Sequence, residues 1–399
     1  MDTTRQTNDQ DLVRTLVAQI FDRVMAVQHL QQPIDLTSSP FKEPALKTGY
    51  FPVVAPSAEQ FSTRHVSILR SQPTPTSSKK RPTPALQWRV KSSELEEVDP
   101  MTGEIISGTS MGFLAPSSID VGGFTWAYRT ADVNPKEATP DKLPVLCLHG
   151  IGSSSYSYRN VIRLLGTAGH TTIALDFLGH GASSKPTSSF DYSSESYIAS
   201  LNQAIDALPL NKPFVLIVHG YILGQVALLW AARNQDKVAK LVIFNTPLSL
   251  KSKLRPELAA YKAPLAFMRP KPDAYFDAAN FNAAGSPYAM QRKDADAYAA
   301  AYDNDPAASA VIYRTMEAID FSTLLSEVNE EYYSWKNPAL MIHGGADSFL
   351  DLKLVLDWLE TKRTCIQMAT GIEAKVGHMP HEDFAEGVTP AIVKFIQEA

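Results

Sequence analysis

From about residue 118 the chain alternates two kinds of pattern. Short continuous apolar runs, each ending in a cluster of Gly, Pro, Asn or Asp, are followed by stretches with apolar residues at helical spacing. The runs are LPVLCLHG (143–150), TTIALDFLG (171–179), PFVLIVHG (213–220), KLVIFNTP (240–247) and PALMIHGG (338–345), with a further strand near 365–369. A strand read as a continuous apolar run is buried on both faces, which is the property of a parallel sheet covered by helices. The intervening segments SYRNVIRLLGTAG, 193–208, LGQVALLWAARN, 352–361 and 383–397 carry the helical period. GGFTWAYRT (122–130) alternates as a half-buried strand. The pattern predicts an α/β class with a doubly wound, mostly parallel sheet.

Two regions break the alternation. Residues 248–335 are helical, rich in Ala and Tyr and punctuated by Pro, and predict an all-helical cap or lid inserted between two strands. Ahead of the sheet, Leu12, Leu16, Ile20, Val24 and Val27 predict one amphipathic helix within 1–32. Residues 33–117 are a linker or arm. Their segment SQPTPTSSKKRPTP holds too little apolar area to order itself. The expected organisation is thus 1–32, 33–117, a core of 118–247 with 336–399, and the lid between.

Composition narrows the function classes. The 399 residues carry 37 Lys and Arg against 42 Asp and Glu, a net charge of −5. A nucleic-acid binder needs a basic face to neutralise phosphates, so that class is set aside. Cys147 and Cys365 sit in apolar runs and read as buried strand thiols in a reducing compartment. MDTTRQTNDQDLV has no apolar core of a secretory signal and is not a typical transit peptide, so the expected location is soluble and intracellular, in cytoplasm or plastid stroma. FVLIVHGYILGQVALLWAA (214–232) is interrupted by His219, Gly220, Gly224 and Gln225, and reads as strand, turn and helix rather than a membrane span. No metal-ligand cluster, phosphate loop or dinucleotide fingerprint occurs, so no cofactor is expected. Residues 1–110 carry no recognisable chemistry and are the surface available to a protein partner.

In open parallel sheets the chemistry lies beyond the carboxyl ends of the strands. There the sequence reads His149-Gly150-Ile151-Gly152 followed by SSSYSYR, then DFLGHGASS, Gly344-Gly345-Ala346-Asp347, and VGHMPHEDF with His378. In this order and spacing the chain resembles the α/β-hydrolase superfamily over roughly 118–398. It is most similar to the branch with haloalkane dehalogenases and epoxide hydrolases. The resemblance implies that Asp347 orients an imidazole, that His378 is the general base, and that the backbone N–H groups of Ile151 and Ile222 form the oxyanion hole. His149, Ser154, Tyr156 and His219 are the candidate substrate contacts. The plainer readings make His149 a turn residue, His219 a packed wall and the Ser-Tyr run a helix start.

The nucleophile position departs from that pattern. Gapless matching of strand and helix puts Tyr221 at the centre of the elbow, with His219 and Leu223 where small residues are wanted. A shift of one gives Gly220-Tyr221-Ile222-Leu223-Gly224, glycines in place and Ile222 at the centre. Neither register supplies Ser, Asp or Cys. A phenol with an ordinary pKa of about 10 is a weak nucleophile. Dehalogenation further wants Asp followed by a halide-binding Trp, and Ile222 follows Tyr221 here. The segments HGY, NTPL (245–248), GSPYAM and GHMPHED resemble those of a group of plant and algal α/β-hydrolase-like proteins, often plastid-located, with Phe or Tyr at the elbow. The sequence therefore supports non-covalent hydrolase or lyase chemistry on a small hydrophobic molecule, with Tyr221, Asp347 and His378 in the site. The alternative is a catalytically inactive ligand-binding or scaffold protein of the same fold. A third possibility takes its nucleophile from Ser154.

Overall fold

The computed structural model describes residues 115–399 apart from 211, 304, 363–365, 370–374 and 399. The amphipathic helix and arm expected over 1–114, the proposed partner surface there, and Cys365 lie outside the described residues.

Eight strands form one sheet in the order β1-β2-β4-β3-β5-β6-β7-β8. They are β1 Ser117–Val121, β2 Phe124–Thr130, β3 Val145–Leu148, β4 Thr172–Leu175, β5 Phe214–His219, β6 Val238–Phe244, β7 Ala339–Ile342 and β8 Ile366–Ala369. β1 and β2 are antiparallel, β2 runs antiparallel to β4, and every pairing from β4 to β8 is parallel. β1 was not expected from the sequence. Gly122 and Gly123 form the turn that joins it to β2, with φ of +63° and +82°, rather than the start of the strand. Two adjacent glycines supply the positive φ that a two-residue hairpin turn demands.

The apolar runs behave as expected of strands covered on both faces. Every residue of β3, β4 and β5 is buried. Leu146, Leu148, Leu216 and Val218 belong to the core on one side, and Val145, Cys147, Val215 and Ile217 to the core on the other. That is the period-two alternation of a pleated strand. Each fully buried Val, Leu or Ile contributes about 1.5–3 kcal/mol, so the central strands anchor the fold. Helices Arg159–Thr167, Ser194–Ala207, Leu223–Arg233, Leu352–Glu360 and Ala385–Gln397 follow their strands.

Between β6 and β7 the chain is helical, with helices at Pro256–Ala259, Ala278–Ala283, Arg292–Ala299, Pro306–Ala318 and Phe321–Glu331. Asp277, Asp305 and Asp320 cap three of them, each carboxylate accepting a first-turn backbone N–H. Tyr156 Oη donates to Asp294 at 2.8 Å, and Tyr298 Oη to Glu382 at 2.8 Å. Arg159 bridges Asp294 and Glu382 and lies 4.3 Å above the Tyr156 ring. This buried network ties the helical insertion to the sheet domain. Among the described residues no helix is long and apolar enough to cross a membrane.

Candidate active site

The strand order reverses between β3 and β5: from β3 the chain passes to β4 on one side and then to β5 on the other. Loops leaving adjacent strands in opposite directions open a crevice, and ligands of open α/β sheets bind there. Here the loops are His149-Gly150-Ile151 after β3 and Gly220-Tyr221-Ile222 after β5. They touch through backbone alone. A Cβ on Gly150 would lie 2.9 Å from the Gly220 Cα, and a Cβ on Gly224 2.8 Å from the His219 carbonyl oxygen.

The turn after β5 settles the register. Gly220 has φ +88°, and Ile222, not Tyr221, is the residue forced to φ +61° and ψ −73° just before the helix Leu223–Arg233. A β-branched residue in that region is a genuine outlier. The backbone closes a γ-turn there, with Leu223 N–H donating to the Tyr221 carbonyl at 2.7 Å. The strained centre is therefore one residue later than gapless matching places it. The amide following the centre belongs to Leu223 instead of Ile222. Ile151 N–H also donates to the Tyr221 carbonyl, at 3.0 Å. Both amides that flank the crevice thus converge on one backbone oxygen.

This close approach carries an expected result. Gly220→Ala adds a Cβ 3.0 Å from the Gly150 Cα and forces a left-handed backbone, for a loss of about 2–4 kcal/mol. Gly123 shares the positive φ, but nothing lies within 4 Å of its added Cβ. Gly123→Ala therefore costs only the backbone strain, about 1–2 kcal/mol. Thermal unfolding of the two variants side by side measures the crowding. Equal losses would mean the two loops yield easily.

Asp347 and His378 lie on the loops after β7 and β8. His378 Nδ1–H donates to Asp347 Oδ2 at 2.8 Å, and the Asp347 side chain is fully buried. Asn245 Nδ2 donates to the same oxygen at 2.7 Å, while Oδ1 accepts Phe349 N–H at 2.8 Å and Leu350 N–H at 3.2 Å. Burial alone would raise the Asp347 pKa, but His378 and these donors outweigh it and hold the carboxyl below the ordinary range. His378 is fixed by its backbone as well. Its N–H donates to Gly285 O at 2.9 Å and its carbonyl accepts His219 Nε2–H at 2.9 Å. Nδ1 is committed to Asp347, so Nε2 is the nitrogen left to act as base.

The two outlying segments of the sequence meet here. Ser286 Oγ donates to Asp383 Oδ1 at 2.7 Å, and Gly377 N–H to Asp383 Oδ2 at 3.0 Å. A Cβ on Gly377 would stand 2.3 Å from Gly285 O. GSPY and GHMPHED are thus one contact that positions His378.

Ile151, His219, Tyr221 and His378 line a single small cavity of about 10 Å³ in which a water-sized centre fits. Such a space holds about one water. Asp347 stands behind His378. Ile222 is buried in the core and does not line the cavity. Nor do the other three candidate contacts. His149 is committed to Gly150 O at 2.7 Å and Phe177 N–H at 3.1 Å, Ser154 caps the turn at Ser155–Tyr158, and Tyr156 reaches Asp294. Ser154 is held by its own turn, whereas His149 and Tyr156 are held by partners distant in sequence, Phe177 and Asp294. Burial and the Asp347 charge push the Tyr221 phenol well above its ordinary pKa, and its hydroxyl donates to Phe349 O at a long 3.4 Å. A phenolate does not form there at neutral pH.

Sequence reasoning missed several wall residues. Ser153, Arg255, Phe281, Asn282 and Met379 also line the cavity. Asn245, in the NTPL segment, was quoted without a role, although Asn directly after a strand end is a signal for a loop-orienting amide. Nothing in the sequence marks Arg255 as buried. Among the described residues no group of three or more His, Cys, Asp or Glu side chains could hold a metal ion.

Comparison with known proteins agrees with this architecture. A haloalkane dehalogenase from Bradyrhizobium elkani superposes with a TM-score of 0.59 at 19% identity, over 71% of this chain and 97% of that one. A thioesterase domain from the curacin biosynthetic pathway does so with 0.52 at 19% identity, over 71% of this chain and all of that domain, 100%. At such identity the likeness concerns the fold. In sequence the chain is similar to a haloalkane dehalogenase of Psychrobacter cryohalolentis, 37% identical over 29% of this chain and 37% of that protein. It is also similar to a cis-3-alkyl-4-alkyloxetan-2-one decarboxylase of Shewanella oneidensis, 36% identical over 26% of this chain and 32% of that enzyme. The matched stretches span only about a third of those relatives' length. Residues 144–385, more than half of the chain, match the sequence model of the α/β hydrolase fold. With the reversed strand order, the backbone-to-backbone elbow and the buried Asp347–His378 pair already in place, that match shows that the chain belongs to the α/β-hydrolase family.

Proposed function

We propose that the chain is a hydrolase-type enzyme that activates water with the Asp347–His378 pair, without a covalent intermediate, on a small hydrophobic molecule. The observation that carries this reading is the pair itself, a fully buried carboxylate on Nδ1 of an imidazole that lines the cavity. Such pairs are kept ionised and oriented when the imidazole removes a proton. The elbow centre Ile222 has no heteroatom, so the nucleophile has to be an exogenous water. His378 Nε2 takes its proton as the oxygen attacks the electrophilic carbon of the substrate, and the imidazolium returns that proton to the leaving group as its bond to that carbon breaks. Ile151 N–H is the candidate donor to the developing oxyanion once it leaves the Tyr221 carbonyl. Tyr221 serves as wall and hydrogen-bond donor.

The helical insertion between β6 and β7 is, in this reading, the lid. A cavity of about 10 Å³ admits no organic substrate, so turnover requires the insertion to shift. The affinity to the plant and algal group, and a plastid location, belong to the same proposal. They rest on the segments HGY, NTPL, GSPYAM and GHMPHED.

The test is turnover by wild type and His378→Ala of activated short- and medium-chain esters, a styrene-type epoxide, 1-haloalkanes and a 3,4-dialkyl oxetan-2-one. The last two are prompted by what the relatives' names say of those proteins. The expected result is turnover of one class, reduced about 10²–10⁴-fold in the variant. Silence of wild type on every class would overturn it and favour a binding protein.

A further inference from the structure

Arg255 and Ser153 hold polar atoms that the reaction above does not use. Arg255 begins the helical insertion, and its side chain is 1% exposed. Its guanidinium lies 3.8 Å from the centre of the Phe281 ring and 4.2 Å from that of Phe349. Both of its described hydrogen bonds are on Nη2, one to Phe281 O at 2.7 Å and one to Glu257 at 3.3 Å. The Glu257 side chain is 37% exposed, with Oε2 buried and without a partner, and at 3.3 Å it is a loose counter-ion for a buried cation. Arg255 Nε is buried with no partner. A guanidinium has five N–H donors in a rigid fork, and leaving them unmet away from water is costly.

Ser153 gives an independent sign. Its Oγ is buried without a partner, and it lines the same cavity as Arg255, Tyr221 and His378. The rest of the wall includes Ile151, Phe281 and Met379. The cavity thus joins an under-bonded cation and an under-bonded hydroxyl to an apolar lining. A neutral apolar ligand would leave both unmet.

From this we infer that the ligand of the site is an apolar molecule bearing a carboxylate, whose anionic head group pairs with Arg255 and accepts from Ser153 Oγ. The planar fork of Arg matches the two oxygens of a carboxylate. Glu257 then acts as a competitor that occupies Nη2 in the closed state. The inference rests on the reading of this cavity as the substrate site and names the substrate class. Entry of the head group requires the same movement of the insertion.

Calorimetric titration of the full chain with octanoate, 1-octanol and formate tests it. The measurement is made on wild type and on His378→Ala, so that binding is read apart from turnover. Octanoate is expected to bind about tenfold or more tighter than octanol, and formate more weakly than octanoate. Arg255→Met removes the preference over octanol, and Arg255→Lys restores part of it. Glu257→Gln, at a half-exposed side chain that folding tolerates, tightens octanoate and leaves octanol unchanged. Equal binding of octanoate and octanol, no binding of octanoate, formate as tight as octanoate, or a Glu257→Gln variant with unaltered octanoate affinity would each overturn the inference. A protein that prefers octanoate but turns nothing over sinks the catalytic reading alone. One that turns over neutral esters and shows no carboxylate preference sinks the inference alone.

Discussion

Acidification from pH 7 to pH 5 is expected to unfold this chain. Among the described residues six histidines are buried and have lowered pKa values: His149, His170, His180, His219, His343 and His381. Desolvation is the largest cause in every case, and for His343 it brings the value to about 4. His381 is fully buried, with neither ring nitrogen hydrogen-bonded, and stacks on Tyr158 at 4.4 Å. Its surroundings add no carboxylate; His378, Arg159 and His149 disfavour its charge further. In the unfolded chain each imidazole binds a proton below about pH 6.5, and in the folded chain it does not. Stability contributed by these rings is therefore present above pH 6.5 and is lost as pH falls towards the folded values. The slope is about 1.4 kcal/mol per pH unit for each ring that stays neutral. Six such rings remove on the order of 10 kcal/mol by pH 5, comparable to the whole stability of a domain. Asp347 acts in a separate window. Its depressed pKa protects the fold above about pH 3.9, and that contribution is lost only as pH falls through the lower folded value. Circular dichroism against pH is expected to show a midpoint of about 5–6, moved to lower pH by His381→Leu. A transition confined to below pH 4 would mean that the rings accept protons in the folded state.

Asp347→Asn is expected to abolish most turnover while leaving the chain folded. Asp347 Oδ2 accepts from two donors at once, His378 Nδ1 and Asn245 Nδ2, and Oδ1 from two more. A carboxylate is the only side-chain group of that size that accepts on every side. An amide must turn its NH₂ either towards two backbone N–H groups or towards His378 and Asn245. In the second orientation His378 can keep a hydrogen bond only as acceptor at Nδ1. The proton then resides on Nε2, and the nitrogen facing the cavity is no longer a base. Turnover falls about 10²–10⁴-fold by this loss of tautomer. The unmet donors cost about 1–3 kcal/mol of stability. Steady-state kinetics and thermal unfolding read the two effects separately. Activity within threefold of wild type would show that His378 does not need a buried carboxylate, and the water-activation reading would fall with it.

The turn after β5 combines a close loop contact with a strained backbone. Gly150 and Gly220 make the close loop contact, Gly224 packs on the His219 carbonyl of its own turn, and Ile222 holds the strained backbone. Strain of this kind costs about 1–3 kcal/mol and persists where the surroundings enforce it. The side chain at that strained position is aliphatic and buried in the core.

The fold was legible in the sequence because its signals are local. Continuous apolar runs at β3, β5 and β7 and helical spacing after them each follow from burial on one or two faces, and burial is written residue by residue. The contact of Asp347 with His378 was expected through the resemblance carried by GGAD and GHMP, and the two side chains do meet at 2.8 Å. β1 was missed because SSIDV is mostly exposed, and only its pairing with β2 makes it a strand. Register at the elbow could not be decided locally. His219 to Gly224 offers two frames, and only the contact of Gly220 with Gly150, on a strand 70 residues away, selects the one centred on Ile222. The wall residues were decided by tertiary structure alone. Ser153 and Ser154 are neighbours with equal chemistry, and the turn that follows spends one on a cap and aims the other at the cavity. Arg255 looks like any surface arginine before a Pro. It becomes a buried cation only when Phe281, on the helix Ala278–Ala283, and Phe349, on the loop after β7, close over it, because burial of a long side chain depends on what the rest of the chain brings to its tip.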